Sequence, residues 1–120
     1  MPDSPTPGAK RNGAHAVQVG AGNIGTGLTP LLAREPGLSR LTIIDHDIYE
    51  AGNLRNQDIS PDCVGRPKAQ VMAGRARVIR PDLDVTAVVA RVEDVPPGRL
   101  RGDVMFACVD SRGARQVISE

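Results

Sequence analysis

Short apolar runs, separated by polar and glycine-rich stretches, dominate the pattern of this chain. Four of these apolar runs have the length and the β-branched residues that are typical of buried strands, at 15–20, 41–45, 85–92 and 103–110. Strands that are apolar almost throughout are typical of a parallel sheet, because both faces of such a sheet are covered. The pattern therefore predicts a parallel arrangement rather than a set of hairpins.

Helical spacing of apolar residues appears in the stretches between these strands. The first predicted helix ends near Glu35 and contains Pro30, which should kink it or loosen one turn. The second runs from about Pro67 to Arg80, and Pro81 stops it. Its arginines are expected to face largely away from the apolar stripe, and a further helix is predicted from Ser111. The apolar positions are Ile24, Leu28, Leu31 and Leu32 in the first helix, and Ala69, Met72, Ala76 and Ile79 in the second.

The order of these elements predicts an α/β protein. Right-handed crossovers give a Rossmann-like three-layer half-domain, with a parallel sheet in the order 3-2-1-4 and helices on both faces. Residues 1–14 are rich in Pro, Gly and polar types and are predicted to be a disordered tail. Residues 15–120 form one predicted domain, in which 46–64 is a long loop without a clear period.

Composition narrows the classes of partner. The chain has 120 residues with 15 basic and 14 acidic side chains, a balance that gives no argument for a nucleic-acid or membrane partner. One Tyr, one Phe and no Trp leave no aromatic platform for bases. The two cysteines are far apart in sequence; Cys108 is predicted to lie in the core and Cys63 in a partly exposed loop. The sequence shows no apolar signal peptide and no membrane-spanning segment. We therefore expect a cytoplasmic protein with reduced thiols.

The sequence GAGNIG, residues 20–25, follows the first strand and opens the first helix. Gly20 allows a tight turn, Gly22 lets the backbone approach a phosphate, and Gly25 lets the helix pack closely on the strand. Asp45 follows about 20 residues after Gly25, where an acid binds a ribose hydroxyl. This predicts nucleotide binding, but it fits a dinucleotide as well as ATP. The alternative is that the glycines serve packing only and Asp45 is a capping residue.

Three further groups of polar residues could complete a phosphate site. Asp45 and Asp47 lead into a loop with Asn53, Arg55, Asn56 and Gln57, whose side chains suit phosphate and ribose but also suit a solvated loop. Arg66 and Lys68 put positive charge at a helix start, where it is unfavourable unless an anion binds there. Asp110 is predicted to end the fourth strand beside the glycine loop. This position predicts a magnesium ion between Asp110 and the phosphates. Alternatively, Asp110 caps the helix that follows.

Together these motifs resemble the ThiF/MoeB/HesA family, adenylyltransferases related to ubiquitin-activating enzymes. The matching residues are GAGNIG (20–25), DHD (45–47), NLRNQ (53–57), GRPKA (65–69) and DSRGAR (110–115). The resemblance implies that Gly20, Gly22, Asn23 and Gly25 lie under the nucleotide and that Asp45 and Asp47 face the ribose side. It implies phosphate contacts from Asn53 and Lys68, a magnesium ligand in Asp110, and less defined roles for Gln57 and Arg115.

The implied reaction is adenylation, with ATP and Mg²⁺, of the C-terminal carboxylate of a ubiquitin-like or sulfur-carrier protein. Lys68, Arg55 and Asp110 would be its catalytic residues. The family often has Arg where this chain has Asn56, so Arg55 either replaces that Arg or the role is absent. Family members are commonly dimers and usually longer, so the chain is interpreted as truncated at its C-terminus. Two alternatives remain: an NAD- or FAD-binding oxidoreductase domain, and a non-catalytic nucleotide-binding fragment.

Overall fold

The computed structural model describes residues 13–55 and 57–108, with Asn23 described by its backbone alone. Its elements are β1 (Ala14–Val19), α1 (Asn23–Ala33), β2 (Leu38–Ile44), α2 (Lys68–Ile79), β3 (Asp84–Val88) and β4 (Val104–Ala107). Short 3₁₀ helices cover Ala51–Arg55, Pro61–Cys63, Val92–Asp94 and Pro97–Leu100. The loop predicted between the second strand and second helix therefore contains two of these short helices.

All four strands form one parallel sheet in the order β3-β2-β1-β4, which confirms the predicted topology. The strand ends differ from those predicted. β2 begins at Leu38 rather than Leu41, because Leu38 pairs with Ala14 of β1 and Arg40 pairs with His15 of β1 and Asp84 of β3. β3 ends at Val88 rather than Val92, since Val92 enters a 3₁₀ helix.

Alternate residues of the strands point to two different layers. Ala16 of β1 and Leu41 and Ile43 of β2 belong to the core beneath α1 and α2. On the opposite face, a second cluster joins strand residues to the 3₁₀ turns before β4. The strand residues are Val17, Val19, Ile44 and Val88, and the turn residues are Val92 and Val95. Within residues 13–108, both α-helices lie on one face. The helix predicted from Ser111 lies outside the described residues.

The α2 stripe is largely as predicted, with Ala69, Met72 and Ala76 buried and Ile79 half-buried. Pro67 precedes the helix as its N-cap rather than forming its first residue. Pro30 lies inside α1, as predicted.

Arg75 and Arg80 depart from the prediction that they face away, whereas Arg77 is exposed as predicted. Arg75 reaches Asp58 at 3.5 Å, and the Arg80 side chain is only 13% exposed and donates to the Glu35 carbonyl at 2.7 Å. Arg77 donates to the Val85 carbonyl at 2.8 Å. The charged ends of these side chains reach polar partners outside α2, so helical position alone does not decide their direction.

Both cysteines are buried. This confirms the prediction for Cys108, whose pKa is raised by burial. The prediction that Cys63 is partly exposed is wrong, because the 3₁₀ helix Pro61–Cys63 packs this thiol against the core beneath the helices. In the part of the chain that the structure describes, no helix is both long and apolar enough to cross a membrane.

Candidate functional site

The glycine loop joins β1 to α1 at the carboxyl edge of the sheet. Gly20 has a φ of 101°, a left-handed conformation that favours glycine, and its N–H donates to the Ile44 carbonyl at 2.8 Å. A Cβ at Gly25 would lie 2.4 Å from the Gly20 carbonyl oxygen, so helix and loop pack as closely as predicted. A Cβ at Gly22 would meet only Gln57 Nε2, at 3.9 Å. The loop is therefore closed on its protein side and accessible at Gly22.

Two buried polar side chains hold this loop from below. Gln18 Nε2 donates to the carbonyls of Gly20 at 2.9 Å and Gly25 at 3.2 Å. The Thr29 hydroxyl donates to Gln18 Oε1 at 2.8 Å. Neither residue was predicted from the sequence. The available signal was a glutamine inside the apolar run HAVQVG, immediately before the glycine motif.

Asp45 follows β2 and connects two backbone segments. One carboxylate oxygen accepts the Ala21 N–H at 2.7 Å, and the other accepts the Asp47 N–H at 2.8 Å. Asp45 is thus in direct contact with the glycine loop. Asp45, His46 and Asp47 each bring one possible ligand atom within 4.8 Å of the others, so these three could also hold a metal ion. His46 Nε2 lies 3.2 Å from Asp47 Oδ1.

Tyr49 is fully buried, and its role in the site was also not predicted from the sequence. Its hydroxyl donates to the Ala21 carbonyl of the glycine loop at 2.7 Å. Burial, and then the negative charge of Asp45, raise the pKa of Tyr49, so the hydroxyl stays protonated at neutral pH. Its signal in the sequence was the one tyrosine of the chain, placed two residues after the Asp-His-Asp motif.

Lys68 is the first residue of α2, a helix that has no acidic residue in its first turn and no side-chain cap. Its Nζ lies 5.4 Å from the centre of the Tyr49 ring, and its backbone N–H donates to the Asp47 carbonyl at 2.9 Å. The structure thus brings Lys68 to the same group of residues as Asp45 and the glycine loop.

Arg66 goes to a different place from Lys68. It borders a cavity of about 570 Å³ between α2 and β3, together with Arg77. It also adds to the effect of the Ser60 hydrogen bond in lowering the pKa of Asp62. The prediction that both cations at this helix start face one anion therefore finds geometric support for Lys68 only.

The remaining predicted residues of the loop after β2 have different surroundings. Asn53 Oδ1 accepts the Glu50 N–H at 2.7 Å, and Arg55 is exposed at the end of its 3₁₀ helix. Gln57 Oε1 is buried and has no hydrogen-bond partner among the described residues. The predicted roles of Asp110, Asn56 and Arg115, and of the Asn23 side chain, fall outside what the structure describes.

Comparison with known proteins adds an independent line of evidence. The sequence model of the ThiF family matches residues 9–120. The sulfur carrier protein ThiS adenylyltransferase of Escherichia coli is 32% identical over 104 residues, which are 84% of this chain and 41% of that protein.

Two solved E. coli structures share the fold. The tRNA N6-threonylcarbamoyladenosine dehydratase TcdA in complex with ATP is 34% identical, with a TM-score of 0.74 over 82% of this chain and 42% of that one. MccB with AMPCPP and MccA is 26% identical, with a TM-score of 0.71 over 83% and 30%. This chain therefore spans less than half the length of each of these relatives.

Proposed function

Because this chain belongs to the ThiF family, we propose that it is the nucleotide-binding part of an ATP-dependent adenylyltransferase. Its substrate would be the C-terminal carboxylate of a small ubiquitin-like or sulfur-carrier protein. The carboxylate attacks the α-phosphate of ATP, pyrophosphate leaves, and an acyl-adenylate forms. Both reactants are anions, so the protein has to neutralise charge and fix their positions.

One observation carries the proposal: the glycine loop, Asp45 and Lys68 meet at one edge of the sheet. Asp45 accepts the Ala21 N–H, Tyr49 donates to the Ala21 carbonyl, and Lys68 lies over the Tyr49 ring. These residues are far apart in sequence. They come together because β1 and β2 are neighbouring parallel strands and α2 begins beside the end of β2.

Each of these groups suits one part of ATP. The N–H groups at the start of α1 and the space at Gly22 would receive a phosphate, and the Lys68 ammonium would contact it. Asp45 would accept a ribose hydroxyl. Gln57 supplies a buried oxygen without a partner in the described residues, which a hydroxyl donor of the nucleotide would satisfy.

Oxygen ligands of the kind that Mg²⁺ takes are available in this region. The carboxylates of Asp45 and Asp47 lie close together, although each Asp45 oxygen already accepts a backbone N–H. We assign the ion to Asp110, as the resemblance of DSRGAR (110–115) to the family motif implies. Bound there, it would supply neutralisation of phosphate charge. Lys68 and Arg55 would supply the remaining positive charge, and the amide N–H groups would orient the phosphates.

A carrier protein is the favoured source of the carboxylate. The E. coli relative is named for the sulfur carrier protein ThiS, and the MccB structure contains MccA. TcdA is named as a tRNA-modifying enzyme, but this chain has a net charge of +1 and no tryptophan, which gives no support for an RNA surface. We further propose a cytoplasmic homodimer.

The first test is nucleotide choice. Isothermal titration of the chain with Mg-ATP and with NAD should show binding of ATP alone. Binding of NAD without ATP would instead favour the oxidoreductase alternative, which gives no role to Lys68 or Asp110.

The second test is ATP–pyrophosphate exchange by the protein that contains this chain, with the small carrier proteins of its own organism. Lys68→Ala and Asp110→Ala should each abolish exchange while leaving the circular dichroism spectrum unchanged. Lys10→Ala, which removes the chain's other lysine, is the matched control and should keep wild-type exchange. An unchanged rate in either site variant would remove that residue from the mechanism.

A further inference from the structure

Tyr49 contacts both the glycine loop and the start of α2. Its side chain is fully buried, although it lies in a segment that follows β2 and whose neighbours, Ile48 and Glu50, are exposed. The adenylation mechanism above requires no tyrosine. Its burial and its contacts nevertheless need an explanation.

The hydroxyl of Tyr49 fixes the glycine loop. It donates to the Ala21 carbonyl at 2.7 Å, while Asp45 accepts the Ala21 N–H at 2.7 Å on the other side of the same residue. Both polar groups of the Ala21 backbone are thus held by side chains that come from the end of β2. The loop cannot move relative to β2 without breaking one of these bonds.

The backbone of Tyr49 fixes the start of α2. Its N–H donates to the Arg66 carbonyl at 3.0 Å, and its carbonyl accepts the Gly65 N–H at 2.8 Å. An antiparallel bridge between Ile48 and Pro67 extends this pairing. One residue therefore sets the separation between the glycine loop and the first turn of α2.

The ring of Tyr49 holds the ammonium of Lys68, with Nζ 5.4 Å from the ring centre. Among the described residues, Lys68 has no ion pair with a carboxylate. The face of an aromatic ring attracts a cation without neutralising it, whereas a carboxylate would compete with a phosphate for the same charge. The ring can therefore place the ammonium and leave it free to bind an anion.

We propose that Tyr49 is a positioning residue that holds the Lys68 ammonium at a fixed distance from the glycine loop, ready for a nucleotide phosphate. This inference rests on the proposed function for its ligand. It predicts that Tyr49 contributes to ATP affinity in two separable ways, through the hydroxyl bond to the loop and through the ring contact with Lys68.

A double-mutant cycle in the full chain separates these contributions. Tyr49→Leu removes hydroxyl and ring, and should weaken Mg-ATP binding about tenfold in isothermal titration. In the Lys68→Ala background the same change should weaken it only about threefold, because the ring then has no cation to place. Tyr49→Phe keeps the ring, so it should weaken binding about threefold in both backgrounds.

A merely structural role would give a different result. Tyr49→Leu would then lower the melting temperature but weaken ATP binding equally with and without Lys68. Equal losses in the two backgrounds would overturn the proposal.

Nuclear magnetic resonance tests the contact without any nucleotide. The chain has two lysines, Lys10 and Lys68, so two ε-methylene signals are expected from a lysine-labelled sample, and Lys10→Arg assigns them. The Lys68 signal should be shifted upfield by the Tyr49 ring in the folded chain and return to the Lys10 position in urea. This comparison needs no Tyr49 variant, so it stands even if Tyr49→Leu does not fold.

The two kinds of failure are distinguishable. A Lys68 signal that is the same in the folded chain and in urea would overturn the ring contact, whatever the nucleotide does. A shifted signal in a chain that does not bind ATP would overturn the proposed function, and with it the role of the contact in phosphate binding.

Discussion

The first turns of α1 and α2 lie at the same edge of the sheet, and they are built in different ways. Neither contains an acidic residue or a side-chain cap. The start of α1 is shaped by close backbone packing, with Gly25 against the Gly20 carbonyl and Gln18 beneath both. The start of α2 is shaped by a paired segment after β2 and carries the Lys68 cation.

This difference separates stability from binding. Changes at the α1 start disturb buried backbone and hydrogen bonds, so they should reduce the stability of the whole fold as well as nucleotide affinity. Changes to the Lys68 side chain remove a half-buried charge that has no carboxylate partner in the described residues, so they should reduce affinity and leave stability nearly unchanged.

The largest loss of stability is expected from Gly25→Ala. Its Cβ would lie 2.4 Å from the Gly20 carbonyl oxygen, a backbone atom that cannot turn aside, so we expect a loss of about 3 kcal/mol or more. Urea denaturation followed by circular dichroism measures it. Gly27→Ala is the matched control in the same helix, with nothing within 4 Å, and should stabilise by about 0.5–1 kcal/mol. Similar values for the two variants would contradict the close packing at Gly25.

A smaller effect is expected from Gln18→Leu, which keeps the side-chain volume but removes the polar groups. The carbonyls of Gly20 and Gly25 and the hydroxyl of Thr29 would lose a buried partner, with a loss of about 2 kcal/mol. ATP affinity should fall as well, because the loop is no longer held in one conformation. If stability fell but ATP affinity did not, the loop would be held by other contacts.

The smallest effect is a pH dependence from Tyr49. Its pKa is raised by burial above the ordinary value of 10.0, so the unfolded chain loses this proton first as the pH rises. Its contribution is fully present below pH 10.0 and is lost above it, with about 1 kcal/mol gone one pH unit higher. Tyr49→Phe removes this titration, so the difference between the two denaturation profiles isolates it. Parallel profiles up to pH 11 would show that the hydroxyl is not buried.

Topology was predictable because it depends on features that a sequence displays directly. Four apolar runs, helical spacing between them and right-handed crossovers give the order β3-β2-β1-β4. Element ends were less predictable, because polar residues such as Arg40 continue a strand when a neighbouring strand offers a partner. That partner, Asp84, is remote in sequence.

The site was predictable where the chemistry follows a local motif. The turn at Gly20, the packing at Gly25 and the position of Asp45 all follow from the spacing of GAGNIG and Asp45. Gln18 and Tyr49 were not predictable, because their partners are defined only once strands, loop and helix are assembled. A single polar residue in a strand, or a single aromatic residue in a loop, does not form a periodic pattern from which its position could be predicted.

The Arg77 guanidinium bonded to the Val85 carbonyl has a consequence at the outer border of the sheet. Among the described residues, β3 is the last strand on that side. Unsatisfied carbonyls on such a border invite strands of other molecules and so promote aggregation. An arginine that already occupies one of these acceptors, and adds a charge there, makes the border a poor template. The Arg77 side chain is therefore expected to oppose the pairing of β3 with strands of other molecules.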